Sequence, residues 1–263
     1  MNAAATAPGG DFLAEMARRS RARVALARAR VPESALRGQA DALPAAVPLR
    51  FSDQGFDLIA ELKRRSPAAG ALAGSALDQK AQACAYRDGG AVALSVLTEP
   101  ERFDGELAHL AELSAASPDA ALMRKDFIVD RYQLLEARVA GASGVLLIAT
   151  MLEPAQLDDL LADALALGLF VLVEAFDAPD LEVCVPIMQK HGAGLARERL
   201  LLGINCRDLK TLQVDFARFS TLAPELPAGF PRVAESGVGS PEQAAEVAGL
   251  GYDVALVGTA LMR

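Results

Sequence analysis

Glu61 and Lys63 stand two residues apart in the stretch Asp57-Leu-Ile-Ala-Glu-Leu-Lys-Arg-Arg-Ser-Pro-Ala-Ala-Gly70, directly after a short apolar run. Strand side chains alternate faces, so this acid and this amine lie on one side, one above the other. Burying them is costly unless they pair or do chemistry, which leaves two readings: a structural ion pair, or part of a proton-transfer site. Lys125, Glu174, Asn205 and Glu235 each close or follow a later apolar run. Two lysines and three carboxylates converging on one small volume would drive their pKa values apart, as acid–base catalysis requires. Asn205 and Arg207 alternate onto one side of their strand and could orient a carboxylate or a hydroxyl. Ser236-Gly237 and Gly258-Thr259 each put a small residue and a hydroxyl at a turn, where backbone N–H groups can hold an anion. Each turn taken singly could be a glycine needed for backbone geometry alone; two of them after the last two strands favour phosphate. Phe103 and Phe127 could line an aromatic pocket or fill the core, and the sequence does not separate the two.

The composition narrows the chemistry. The chain has 263 residues, 52% of them hydrophobic and 23% charged, enough for a large core and for one large α/β domain or two small ones. A net charge of -8 argues against a nucleic-acid partner, although a small anion can still bind where cations gather. Cys84, Cys184 and Cys206 are widely spaced and odd in number, which fits a reducing compartment and no metal site. His109 and His191 are the only histidines; both fall away from strand ends and read as surface residues. Cys206 has no histidine base near it in sequence and reads as loop packing, not as a nucleophile. No apolar run reaches the length of a membrane span.

The elements that must position these groups recur along the chain. Eight apolar runs of strand length lie at Asp57–Leu62, Ala91–Leu97, Ala121–Arg124, Gly144–Ile148, Phe170–Val173, Leu200–Ile204, Arg232–Ala234 and Val254–Val257. Ala- and Leu-rich helical stretches separate them, among them Leu77–Gly89, Asp130–Ala140, Pro154–Leu167 and Pro241–Leu250, several opened by cap-and-proline signals. Eight β-α units predict an α/β fold of the (β/α)8 TIM-barrel type with the chemistry at the carboxyl ends of its strands. A doubly wound sheet is the competing architecture, and the chain carries neither G-x-G-x-x-G nor a P-loop to support it. Residues 1–50 read as a loose tail and a leading amphipathic helix packed on the barrel; residues 51–263 read as the catalytic barrel. The arginine-rich stretch Phe12 to Val31 also has the look of a transit peptide, against which Asp11 and Glu15 count. Only Gly258-Thr-Ala-Leu-Met-Arg263 follows the eighth run, so the eighth outer helix is expected to be missing or truncated.

With these residues in view, the chain resembles the indole-3-glycerol-phosphate synthase family of tryptophan biosynthesis. The matching motifs are Ile59-Ala-Glu-Leu-Lys-Arg-Arg-Ser-Pro67, Ser95-Val-Leu-Thr-Glu99 with Phe103-Asp-Gly105, and Arg124-Lys-Asp-Phe127 with Tyr132-Gln133 and Glu136-Ala137. Leu146-Leu-Ile148, Val173-Glu174, Gly203-Ile-Asn205 with Arg207-Asp-Leu209, Ala234-Glu-Ser-Gly237 and Val257-Gly258 with Leu261-Met262 complete the set. The resemblance implies ring closure, decarboxylation and dehydration of 1-(2-carboxyphenylamino)-1-deoxyribulose 5-phosphate, without cofactor or metal. It implies Lys125 as general acid, Glu174 as general base, and Lys63 at the substrate's anionic groups. Glu61, Asn205, Glu235 and Ser236 would line the same site, with Ser66 and Arg207 near the carboxylate or hydroxyls and Gly237, Gly258 and Thr259 at the phosphate. Thr259, Cys206 and Ala175-Phe176 depart from the family's usual residues. The expected partner is an anionic aromatic sugar phosphate bound by a cytoplasmic monomer or weak homodimer, with no nucleic acid and no membrane. Two other readings fit the residues: a Schiff-base aldolase with Lys125 as nucleophile, and a sugar-phosphate-binding barrel without turnover.

Overall fold

The computed structural model of the chain describes residues 12–53, 55–63, 78–208 and 213–262, and at 65, 66, 70 and 71 the backbone alone. Eight parallel strands close on themselves: β1 (Asp57–Leu62), β2 (Ala93–Leu97), β3 (Leu122–Lys125), β4 (Gly144–Ile148), β5 (Phe170–Ala175), β6 (Leu200–Asn205), β7 (Arg232–Glu235) and β8 (Val254–Val257). Each pairs with its neighbour in sequence, and β8 returns to β1 with Asp57 opposite Val254 and Ala60 opposite Val257. This is the (β/α)8 barrel that the eight runs predict.

Two-residue alternation divides every strand between two cores. Ile59, Met123, Leu146, Leu172, Leu201, Val233 and Leu256 pack inside the barrel. Leu94, Val145, Val171, Leu202 and Ala255 face outward against the helices. The inside-facing position nearest each carboxyl end is where polar groups enter. That alternation places Glu61, Lys125, Glu174, Asn205 and Glu235 above an apolar floor. Phe170 fills part of that floor, and Gly144 makes room for it, because a Cβ on Gly144 would overlap the Phe170 ring.

Ten α-helices are described: α1 (Phe12–Arg30), α2 (Glu33–Asp41), α3 (Gln79–Asp88), α4 (Pro100–Phe103), α5 (Leu107–Ala116), α6 (Arg131–Val139), α7 (Pro154–Ala166), α8 (Ala178–Gly192), α9 (Ala217–Leu222) and α10 (Pro241–Gly249). Local sequence starts them: Asp78, Asp130, Asp177 and Ser240 cap α3, α6, α8 and α10 through their side chains, and proline opens α7, α8 and α10. The leading segment is two helices rather than one, because Pro32 ends α1 and seeds α2. After β8 the described chain makes a 3₁₀ turn over Thr259–Met262. Ala260 and Leu261 of this turn pack on the core, and the Tyr86 hydroxyl of α3 donates to the Leu261 carbonyl at 3.1 Å.

His109 corrects the expectation of a surface histidine. It is buried, and its Nδ1 accepts the Glu106 backbone N–H at 3.1 Å, completing a capping box at the start of α5. A histidine in the third position of a helix can serve as glutamate does in that motif, which composition alone does not reveal.

Candidate active site

A cavity of about 340 Å³ opens at the carboxyl end of the barrel. Its lining includes Glu61, Lys63, Lys125, Glu174, Asn205, Arg207, Ser236, Gly237, Gly258 and Thr259, so residues from six strand ends meet in one cup. Phe103 and Phe127 line it too, and Phe127 is at the same time a buried member of the inner core with Phe103 packed against it. Glu235 lies immediately beneath, 1% exposed, with its carboxylate against Lys125. Ser66 lies in the two-residue strand Arg65–Ser66, and its side chain is outside the described residues.

Lys125 sits at the centre. Its Nζ lies 3.0 Å from Glu235 Oε2 and 3.7 Å from Glu174 Oε2. Burial works to strip its proton, but Glu235, Glu174 and Glu61 outweigh that and hold the amine's pKa above the ordinary lysine value. Glu174 behaves in the opposite way. Burial and the neighbouring Glu235 charge push its carboxyl up to about 8, against the pull of Lys125 and a hydrogen bond from the Asn205 side chain. Asn205 is oriented for this, since its Oδ1 accepts the Arg207 backbone N–H at 2.9 Å and leaves the amide to donate. Across the cup, Lys63 pairs with Glu61. Glu61 pays the burial cost of its charge, yet Lys63, Lys125 and Arg207 hold its pKa below the ordinary value. The two acids therefore differ: Glu61 is kept as a carboxylate and Glu174 is kept ready to bind a proton.

Glycine makes the crowding possible. A Cβ at Gly258 would overlap Glu61 Oε1 and the Lys63 amine, so β8 comes this close to β1 only without a side chain. At the far rim Ser236 and Gly237 have φ of 63° and 87°, two left-handed residues in succession. Consecutive N–H groups in such a turn form an anion-binding concavity. The Cys206 thiol, buried and pushed up to about 12 mainly by desolvation, donates to the Ser236 carbonyl at 2.9 Å from below. That is packing of the turn, as the sequence suggests, and no nucleophile.

Two features lay beyond sequence reasoning. Phe12, the first residue of α1, lines the cavity and meets Phe127 edge-on at 5.8 Å between ring centroids, with Phe103 6.4 Å from Phe127 on another side. The leading helix thus completes an apolar wall suited to an aromatic ring. Asp126 is the second. Almost wholly buried, it accepts from Arg23 of α1 at 2.8 Å, Thr98 Oγ1 at 2.8 Å, Arg124 at 3.0 Å and the Phe127 backbone N–H at 2.8 Å. Burial raises the cost of its charge, and Arg124 and Arg23 more than offset it, so its pKa lies below the ordinary value. One carboxylate thereby ties α1, β2 and β3 together between the cavity residues Lys125 and Phe127. Asp126→Ala takes from Arg23 and Arg124 the carboxylate they share, leaving Arg23 with Glu99 at 3.5 Å and Arg124 with Glu136 at 3.2 Å, and is expected to destabilise the fold by about 3 kcal/mol, measured by urea denaturation. A loss under about 1 kcal/mol would show that Arg23 and Arg124 find other partners.

Comparison with known proteins agrees with this arrangement. The family model for indole-3-glycerol phosphate synthase matches residues 13–263. A protein of that name from Salinibacter ruber is 42% identical over 214 residues, covering 81% of this chain and 75% of its own. One from Micrococcus luteus is 45% identical, with the same coverage of 81% and 75%. Indole-3-glycerol phosphate synthase 1 of Streptomyces coelicolor is 44% identical over 79% of this chain and 73% of its own. Among solved structures, the N-acetylmannosamine-6-phosphate 2-epimerase of Clostridium perfringens superposes with a TM-score of 0.55 at 15% identity, over 78% of this chain and 87% of that one. Yersinia pestis dihydropteroate synthase gives 0.52 at 18%, over 80% and 88%. At such identities the two structures speak for the barrel alone, whereas the sequence relatives and the matched length carry the assignment: the chain belongs to the indole-3-glycerol phosphate synthase family.

Proposed function

We propose that this chain converts 1-(2-carboxyphenylamino)-1-deoxyribulose 5-phosphate to indole-3-glycerol phosphate, carbon dioxide and water, as a carboxy-lyase of tryptophan biosynthesis. The observation that carries the assignment of roles is the Lys125 ammonium and the Glu174 carboxyl side by side, 3.7 Å apart, in one cavity. Lys125 gives a proton to the ketone oxygen as the ring carbon bearing the carboxylate attacks the ketone carbon. Carbon dioxide leaves, and its bonding electrons restore the aromatic ring. Glu174 then takes a ring proton while the new hydroxyl departs as water with a proton from a lysine. Lys63 and Arg207 bring positive charge to the substrate's anionic groups. Ser236, Gly237, Gly258 and Thr259 hold the phosphate with backbone and hydroxyl donors. Phe12, Phe103 and Phe127 take the anthranilate ring.

The Schiff-base reading loses on the charge of Lys125. An amine must be neutral to attack a carbonyl, and the carboxylates around this one, Glu235 foremost, hold its proton on. No helix among the described residues is long and apolar enough to cross a membrane. We place the enzyme in the cytoplasm as a monomer or weak homodimer. Fluorescence of indole-3-glycerol phosphate should rise when the purified protein meets the carboxyphenylamino substrate, and EDTA should leave the rate unchanged. Phosphate binding without any product would favour a non-catalytic barrel instead.

A further inference from the structure

The two oxygens of Glu235 are held differently. Oε2 takes the Lys125 ammonium at 3.0 Å. Oε1 is buried and has no hydrogen-bond donor among the described residues. It lies over Gly203 of β6, where a Cβ would overlap it, so the strand is bare at the point the carboxylate crosses. Glu174 is the hydrogen-bonding neighbour on the next strand but one. A buried acceptor left without a donor is costly, and a proton on Glu174 supplies one.

The charges around the pair agree. Lys63 is taken by Glu61 of its own strand, and Lys125 of β3 is engaged closest by Glu235. Arg207, beyond β6, acts on Glu61, and Asn205 is neutral. After β8, Gly258 lies against Glu61 and Lys63 and adds no charge. Among the described residues Glu174 therefore has the weaker hold on a lysine, 3.7 Å from Lys125 against 3.0 Å for Glu235, and a buried carboxylate so weakly compensated takes up a proton instead.

We propose that in the resting site Glu174 carries a proton and donates it to Glu235 Oε1, so that the two carboxyl groups share one proton with Lys125 beside both. This deepens the proposed function and rests on Glu174 being its base. The pushed-up Glu174 pKa of about 8 accords with it. The arrangement also links two steps. When Lys125 loses an N–H proton to the ketone oxygen, its neutral amine takes the shared proton, the Glu174 O–H breaks, and Glu174 becomes the carboxylate that dehydration needs. Glu174 regains a proton from the ring carbon, and solvent supplies the one proton that decarboxylation consumes. The acid spent in the first step is thus recharged by the future base.

Infrared difference titration of the full chain without substrate tests this directly. A protonated-carboxyl C=O band should be present near pH 7, vanish by about pH 9, and be missing in Glu174→Gln. In Glu235→Gln the band should titrate away at least one pH unit lower, a tenfold weaker hold on the proton, and the alkaline limb of kcat/KM should move down with it. No such band in the wild-type protein at pH 7, or a midpoint that Glu235→Gln leaves unmoved, overturns the shared proton. The wild-type spectrum needs no variant to fold and no turnover. An inactive protein with the band would sink the activity and keep the dyad, and an active one without it would do the reverse.

Discussion

Lys125→Ala is expected to lower kcat at least about 10²-fold while the protein stays folded, a loss of roughly 2.7 kcal/mol of transition-state stabilisation. Among the described residues the ammonium is the one cation within reach of both Glu174 and Glu235, at 3.7 and 3.0 Å. Among the described residues no other amine in the cup is placed to take over, because Lys63 is bound to Glu61, two strands away on β1. Folding should survive the loss: Glu174 already prefers its neutral form, so the carboxylates left behind can take up a proton instead of repelling one another. Lys125→Arg separates charge from acidity. A guanidinium keeps the positive charge yet does not give up a proton in this pH range, so kcat should fall nearly as far while KM stays closer to the parent value. Steady-state fluorescence of product formation, with circular dichroism on the same samples, checks both variants. Near-normal turnover in Lys125→Ala would remove the acid from this residue.

The eight runs, the barrel and the inward-facing acids and amines were legible because each rests on local alternation and on the apolar length of a strand. What was misplaced lay at boundaries. The runs suggest that β3, β5, β6 and β7 stop at Arg124, Val173, Ile204 and Ala234, whereas the strands continue to Lys125, Ala175, Asn205 and Glu235. A charged residue after an apolar run reads as a loop, yet the ladder extends through it, since its charge is satisfied across the barrel mouth and not by water. That is why the site residues lie on strands, held more rigidly than loop residues would be. Phe12 was illegible for a different reason: nothing within 45 residues of β1 tells where a leading helix will lie. Asp126 sat in plain view between two site residues, but its partners come from positions 23, 98 and 124, and only the fold brings them together. Arg23 and Arg28 of the arginine-rich leading stretch answer to Asp126 and Asp130 of the β3–α6 connection, a pairing that composition could only report as an excess of charge.

Glu174→Gln should inactivate the enzyme and stabilise it at once. The amide cannot take the ring proton, so kcat is expected to fall by at least about 10²-fold. The stability effect follows from the raised pKa. A carboxyl at 4.5 when unfolded and about 8 when folded binds more protons in the folded state between those values. Its contribution to stability is therefore fully present below pH 4.5 and lost as pH rises through about 8, where a charge must be kept beside Glu235. Glutamine is never charged and does not impose that cost. The variant should melt at least about 2 °C above the parent near pH 8.5, at equal scan rate, with the advantage shrinking towards zero near pH 5. A gain that is independent of pH would mean better packing of the amide and not relief of charge. A variant less stable than the parent at every pH would mean that Glu174 is held by Lys125 as an ordinary ion pair, and the case for a proton-accepting group at this position would fall with it. The expected combination, inactive yet more stable at alkaline pH, is the mark of a residue kept in an unfavourable state because the reaction uses it.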